Sequence, residues 1–116
     1  MKTIIAGSRS ITDYNTVEHI VEESGFNITE VVCGMAEGVD RLGLKYALFH
    51  GIPFKLFPVT KEDWKLKGKA AGIFRNRLMG DYADALIAIW DGISSGTLYM
   101  INYSKKKGLY FFVRII

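Results

Sequence analysis

The residues Ala85-Leu86-Ile87-Ala88-Ile89-Trp90 form an unbroken apolar run, and the chain turns straight afterwards through Asp91-Gly92-Ile93-Ser94-Ser95-Gly96-Thr97. A short apolar run without alternation reads as a strand buried on both faces, the kind a parallel sheet carries between helical layers. Leu98-Tyr99-Met100-Ile101 then places apolar side chains at helical spacing. Strand, glycine turn and helix therefore follow one another. Two earlier segments repeat this pattern. Lys2 to Ala6 ends in Gly7-Ser8-Arg9-Ser10, and Glu30 to Cys33 leaves through Gly34-Met35-Ala36-Glu37-Gly38-Val39-Asp40.

The intervening segments complete the alternation. Ile11-Thr12-Asp13 opens a helix to about Ser24, with Thr12 or Asp13 as N-cap and Val17, Ile20 and Val21 as its apolar stripe. A helix from Val39 to His50 directs Leu42, Ala47 and Leu48 inward, and Pro53 to Phe57 is a third strand. Val59 to Gly72 is polar and lysine-rich, a surface loop with a short helical turn around Glu62 to Leu66. Lys69 to Tyr82 is helical, with Ile73, Phe74, Leu78 and Met79 available to pack. The helix after the central turn runs from Ser95 to Lys107, Gly108 stops it, and Leu109 to Val113 is the last strand. The predicted fold is α/β: a single Rossmann-like open sheet spanning residues 1–116, mostly parallel, about five strands with helices on both faces. The glycine-bearing turns all leave carboxyl ends of strands, the edge where such sheets bind ligands.

With 49% hydrophobic and 23% charged residues, the chain is globular rather than disordered. The apolar start, Met1 to Gly7, is too short for a signal-peptide core, and no run is long enough to span a bilayer. A cytoplasmic protein with no membrane partner is expected. A lone Cys33 fits a reducing compartment and reads as a buried thiol. His19 and His50 lie in separate helices without a Cys or carboxylate cluster at metal spacing, so no metal site is expected. The net charge of +3 is modest and comes largely from Lys61 to Lys69 and Lys105-Lys106-Lys107. Duplex nucleic-acid binding asks for a stronger basic stripe and a reading element. Tyr99, Tyr103, Tyr110, Phe111 and Phe112 read either as core or as an interface of a homo-oligomer, a dimer or larger.

Each turn carries two readings. Gly92, Ser94, Ser95, Gly96 and Thr97 supply open backbone N–H groups, hydroxyls and a helix N-terminus, which together hold a phosphate. The alternative is an ordinary strand-to-helix turn with Ser95 as helix cap. Gly7-Ser8-Arg9-Ser10 lacks the full G-x-G-x-x-G, and no acidic residue ends the second strand, so a nicotinamide cofactor is not expected. Arg9 is a surface residue or a phosphate clamp. In the second turn Gly34, Met35, Glu37 and Gly38 border the cleft, and Asp40 either favours the helix N-terminus, orders the glycine loop or hydrogen-bonds a ribose. Of the arginines two apart on one helix, Arg75 with Asn76 faces the cleft and Arg77 faces solvent. Asp91 and Glu37 are the candidate acid–base groups. For Asp91 the alternative is a turn cap.

Ala6-Gly7-Ser8-Arg9, Cys33 to Asp40, Gly72-Ile73-Phe74-Arg75-Asn76-Arg77 and Ala85 to Thr97, in this order and spacing, resemble the YspA-type branch of the SLOG superfamily. That superfamily includes the Lonely Guy phosphoribohydrolases and DNA-processing protein A. The resemblance implies a Rossmann-like fold that binds nucleotides or nucleotide-derived ligands, ADP-ribose-like or cyclic nucleotides among them. It implies Gly92, Ser94, Gly96 and Thr97 as the phosphate cradle and places Arg75 near a functional arginine. Asp91 stands where the Lonely Guy block opens with proline, and Met100 where a glutamate is expected three residues after the threonine. The departures point to a sensor, carrier or sequestering protein for a nucleotide signal. A hydrolase of N-glycosidic bonds and a binder of single-stranded nucleic acid are the alternatives.

Overall fold

The computed structural model describes residues 1–116. β1 (Lys2–Gly7), β2 (Glu30–Cys33), β3 (Phe54–Leu56), β4 (Ala85–Trp90) and β5 (Tyr110–Ile115) form one sheet in the order β3-β2-β1-β4-β5. Every pairing is parallel, with Thr3 to Gly7 of β1 in register with Ala85 to Ile89 of β4. Strand order reverses direction between β1 and β4, so the turns that follow these two strands lie side by side at the carboxyl edge.

Ile4, Ile5, Leu86, Ile87 and Ile89 are fully buried because the apolar strands have helices on both sides. Each contributes about 1.5–3 kcal/mol by leaving water. One layer, built on Ile5, Val31 and Ile87, packs beneath α1 (Tyr14–Glu23) and α2 (Val39–Phe49). The other, built on Ile4, Leu86 and Ala88, meets α4 (Lys69–Tyr82) and α5 (Ser95–Lys107) through Met79, Met100 and Ile101. Gly80 lets these two helices approach closely, since a Cβ there would stand 2.7 Å from the Tyr103 ring. Val17, Ile20 and Val21 are buried on α1 as their spacing predicts.

Several expectations are corrected. Leu48 is 60% exposed. The face α2 buries runs through Val39, Gly43, Tyr46 and Ala47, and residue 48, nine positions past Val39, points the opposite way. On α4 only Ala71, Met79 and Gly80 are buried, while Ile73, Phe74 and Leu78 are exposed along flanks that the sheet does not reach. The helical turn expected around Glu62 to Leu66 is a slightly longer helix, α3 (Lys61–Lys67), started by a reciprocal cap in which Asp63 N–H donates to Thr60 Oγ1 at 3.0 Å and Thr60 N–H to Asp63 Oδ2 at 3.3 Å. His50 does have carboxylate neighbours: its Nε2 lies 2.9 Å from Glu18 Oε2, and donor atoms of Glu18, Glu22 and His50 all fall within 4.8 Å of one another. The sequence hides this group because it joins α1 to the end of α2. Cys33 is buried, and burial pushes its thiol up to about 12. No helix is long and apolar enough to cross a membrane. Along edge strand β5, Tyr110 and Phe111 are exposed and Phe112 is half-buried.

Candidate functional site

Ser8 ties the carboxyl-edge turns together. It is fully buried; its N–H donates to the Ile89 carbonyl at 3.0 Å and its Oγ accepts from Asp91 N–H at 2.9 Å. Its carbonyl accepts from Val39 N–H at 3.4 Å. The exits of β1, β2 and β4 are thereby locked to one another. Two glycines permit the crossing. A Cβ at Gly7 would drive into the Ile89 carbonyl, and one at Gly38, whose φ is +79°, would lie 2.6 Å from the Arg9 Cα.

Beside this knot opens a cavity of about 390 Å³ between the carboxyl edge, α3, α4 and the start of α5. Gly7 and Arg9 from the first turn line it, Ala36 and Asp40 from the second, and Ser94 to Thr97 from the third. Arg75 and Asn76 reach it from α4, whereas Arg77 is exposed and outside it. Residues from all three glycine turns thus meet in one place, with Arg75 rather than Arg77 beside them. Trp64, Lys69, Ile73 and Tyr99 complete the walls. Sequence reasoning missed these as site residues. The Thr60-x-x-Asp63 capping signature, which extends the expected turn at Trp64 into a full helix, was the available signal.

The turn from Asp91 to Thr97 has unused donors. Ser94, not Ser95, is the N-cap of α5, and its Oγ accepts from Thr97 N–H at 3.5 Å and from Thr97 Oγ1 at 3.2 Å. Asp91 Oδ1 accepts the N–H groups of Ile93 and Ser94 at 2.8 and 2.9 Å. Between these bonds the N–H groups of Ser95 and Gly96 have no acceptor within the protein, as expected for the first turn of a helix. Both residues are exposed and line the cavity. Arg9 and Lys69 also line it, and neither forms an ion pair.

Arg75 is already engaged. Its Nη1 donates to the carbonyls of Gly34 and, at 3.2 Å, Phe57; its Nε donates to Asn76 Oδ1 at 3.0 Å. Burial draws its pKa down against the pull of the Asp40 charge. Asp40 is 5% exposed, and burial pushes its carboxyl up to about 6, although Arg75, the N–H groups of Ala36 and Gly7, and Arg9 all favour the ion.

The remaining predicted positions lie outside the cavity wall. Ser8 is spent on the knot, Gly34 is buried beneath Arg75, and Gly38 presses on the Arg9 backbone. Met35 is half-buried at a φ of +64°, in the left-handed region that non-glycine residues seldom occupy. Gly92 turns the chain at φ +80°. Glu37 is exposed and faces solvent. Asp91 serves its own loop: hydrogen bonds from Ser94, Ile93, Ser8 and Ser10 hold its carboxyl below the usual range. It is a carboxylate anchored by its own loop. Met100 is buried in the second core layer with atoms on the cavity wall.

No family model matches the chain. It is 32% identical over 117 residues to the Gene 61 protein of Mycobacterium phage D29, covering 93% of this chain and 91% of that protein. A shorter stretch is 36% identical over 52 residues to the SPbeta prophage-derived protein YoqJ of Bacillus subtilis strain 168, 39% of this chain and 30% of YoqJ. The fold matches the X-ray structure of DNA processing protein A from Streptococcus pneumoniae with a TM-score of 0.78 and 19% identity. That match takes in 97% of this chain but 49% of the other, so this chain spans about half of that protein. With 32% identity along nearly the whole of both chains, this protein belongs to the family of the Mycobacterium phage D29 Gene 61 protein.

Proposed function

We propose that this protein binds a phosphate-bearing nucleotide or nucleotide-derived ligand in the carboxyl-edge cavity, as a sensor, carrier or sequestering protein. The observation that carries this reading is the pair of unsatisfied N–H groups of Ser95 and Gly96 at the start of α5, opening on a cavity that also holds the unpaired cations Arg9 and Lys69. Backbone donors at a helix N-terminus and nearby cations are the elements of an anion site. Native mass spectrometry of freshly purified protein, followed by calorimetry with AMP and ADP-ribose against adenosine, tests it. Phosphorylated compounds bind and adenosine binds far more weakly if the cradle is used. Equal binding of all three would refute it.

A second reading, hydrolysis of an N-glycosidic bond, is favoured by one observation. Asp40 is a buried carboxylate on the cavity wall whose raised pKa of about 6 suits proton transfer. Asp91 and Glu37, the other candidate acid–base groups, do not line the cavity, so this reading places the proton on Asp40. Chromatography of AMP incubated with the protein separates the readings, since a hydrolase frees the base and a binder returns AMP intact. The Streptococcus pneumoniae protein that shares this fold is named for DNA processing, which suggests a third arm, a single-stranded oligonucleotide titrated at several salt concentrations. A steep salt dependence would favour a nucleic-acid binder.

A further inference from the structure

We infer that the cavity takes a single nucleoside 5′-monophosphate unit, its base stacked on Trp64 and its phosphate on the first turn of α5; this rests on the phosphate reading of that turn. Trp64 stands in the middle of α3, lines the cavity and is 41% exposed. The Trp64 backbone N–H donates to the Thr60 carbonyl at 3.1 Å inside the capped helix, and a Cβ at Gly72 would lie 3.3 Å from the ring's Cη2. The benzenoid edge of the indole therefore rests on α4 where that helix lacks a side chain.

Asn76 comes four residues later on α4, and its Nδ2 donates to the Gly96 carbonyl at 3.5 Å. Residues four apart share one face of a helix and are separated by about 6 Å along its axis. Gly72 thus marks the indole end of the cavity and Asn76 the anion-binding end. One ribose spans that interval between a base and its 5′-phosphate. Ile73 and Tyr99 line the same cavity, so apolar and aromatic walls stand in it beside the donors of Ser95 and Gly96 and the cations Arg9 and Lys69. An exposed indole and an exposed isoleucine contribute little to the core. Set beside an anion site, they suit a flat ring joined to a phosphate.

The test is calorimetry with AMP, GMP, CMP, UMP and ribose 5-phosphate on wild-type protein, Trp64→Ala and Trp64→Phe. At least one nucleotide is expected to bind the wild type about 10- to 100-fold more tightly than ribose 5-phosphate, the range base–aromatic stacking supplies. Trp64→Ala should erase that preference and leave ribose 5-phosphate unchanged, while Trp64→Phe keeps most of it. Should Trp64→Ala lose its circular dichroism spectrum, Trp64→Leu makes the same comparison. The inference fails if ribose 5-phosphate binds the wild type as well as every nucleotide, or if the preference survives loss of the ring; the phosphate reading then still stands. If no phosphorylated compound binds the wild type, both fail.

Discussion

Asp40 and Arg75 face each other across Gly34: a Cβ on residue 34 would stand 2.5 Å from Arg75 Nη1 and 2.9 Å from Asp40 Oδ2. The guanidinium spans from the Gly34 carbonyl to the Phe57 carbonyl, and the carboxylate accepts the Ala36 N–H at 3.3 Å. The two charges attract without closing an ion pair. Together they brace the exits of β2 and β3 against α4, and the missing side chain at residue 34 makes room for both.

Gly34→Ala should therefore displace the guanidinium from its two carbonyls. The expected loss is about 1–3 kcal/mol, the range for leaving buried polar groups without a partner. Urea unfolding measures it. Unchanged stability would mean that Arg75 finds equivalent acceptors when pushed aside.

The Asp40 carboxyl makes stability depend on pH in a direction opposite to that of most carboxylates. Its folded pKa is raised to about 6 from 3.8, so its contribution is fully present below about pH 4 and is lost as pH rises through about 6. At roughly 1.4 kcal/mol per unit, the loss is on the order of 3 kcal/mol by pH 7. Asp13, Glu18, Asp81 and Asp91 have lowered pKa values and act in the opposite sense at lower pH. The difference between wild type and Asp40→Asn, measured from pH 4 to pH 8, cancels them. Asp40→Asn should gain on the wild type across that window, and a flat difference would show that Asp40 stays ionised throughout.

Arg9 and Arg75 should separate binding from folding. Arg9 is exposed and forms no ion pair, so Arg9→Ala is expected to keep its melting temperature and weaken AMP about tenfold or more, the scale of a charge-assisted hydrogen bond. Arg75→Ala should lose about 1–3 kcal/mol of stability first, because the Gly34 and Phe57 carbonyls lose their donor. Calorimetry and thermal melts on both variants check this. A destabilised Arg9→Ala, or an Arg75→Ala as stable as wild type, would reverse the two roles.

The sheet was legible in the sequence because β1, β2 and β4 are uninterrupted apolar runs that end in glycine turns, and both properties are local. The convergence of three turns followed from topology alone. What escaped were features that depend on which side of an element meets a neighbour. Ile73, Phe74 and Leu78 have a helical pattern, yet α4 packs through Ala71, Met79 and Gly80. Small residues mark close helix contact, and a hydrophobicity pattern gives them no weight. Trp64 falls in the helical turn expected around Glu62 to Leu66, but nothing local in the lysine-rich segment shows that α3 borders the cavity at the carboxyl edge. Ser8 and Asp91 sit in the right turns, but in both the side chain is used on the protein itself. Residue type and spacing do not distinguish a donor free for a ligand from one already engaged.

Gly96 and Gly7 offer the sharpest contrast, because both line the cavity and only one has room for a side chain. A Cβ on Gly96 meets nothing within 4 Å, whereas one on Gly7 collides with the Ile89 carbonyl and Val39. Gly96→Val should therefore fold normally, within about 0.5 kcal/mol of wild type as for an unencumbered surface substitution. Its branched side chain would stand where a phosphate must approach the Ser95 and Gly96 N–H groups. AMP and ribose 5-phosphate should both lose measurable affinity. Gly7→Ala should instead be destabilised by several kcal/mol through overpacking against backbone that cannot move without opening the β1–β4 pairing. Melting curves and calorimetry on the two variants are enough. A folded Gly96→Val that binds AMP as wild type does would remove the first turn of α5 from phosphate binding, and with it the basis for assigning the cavity to a nucleotide.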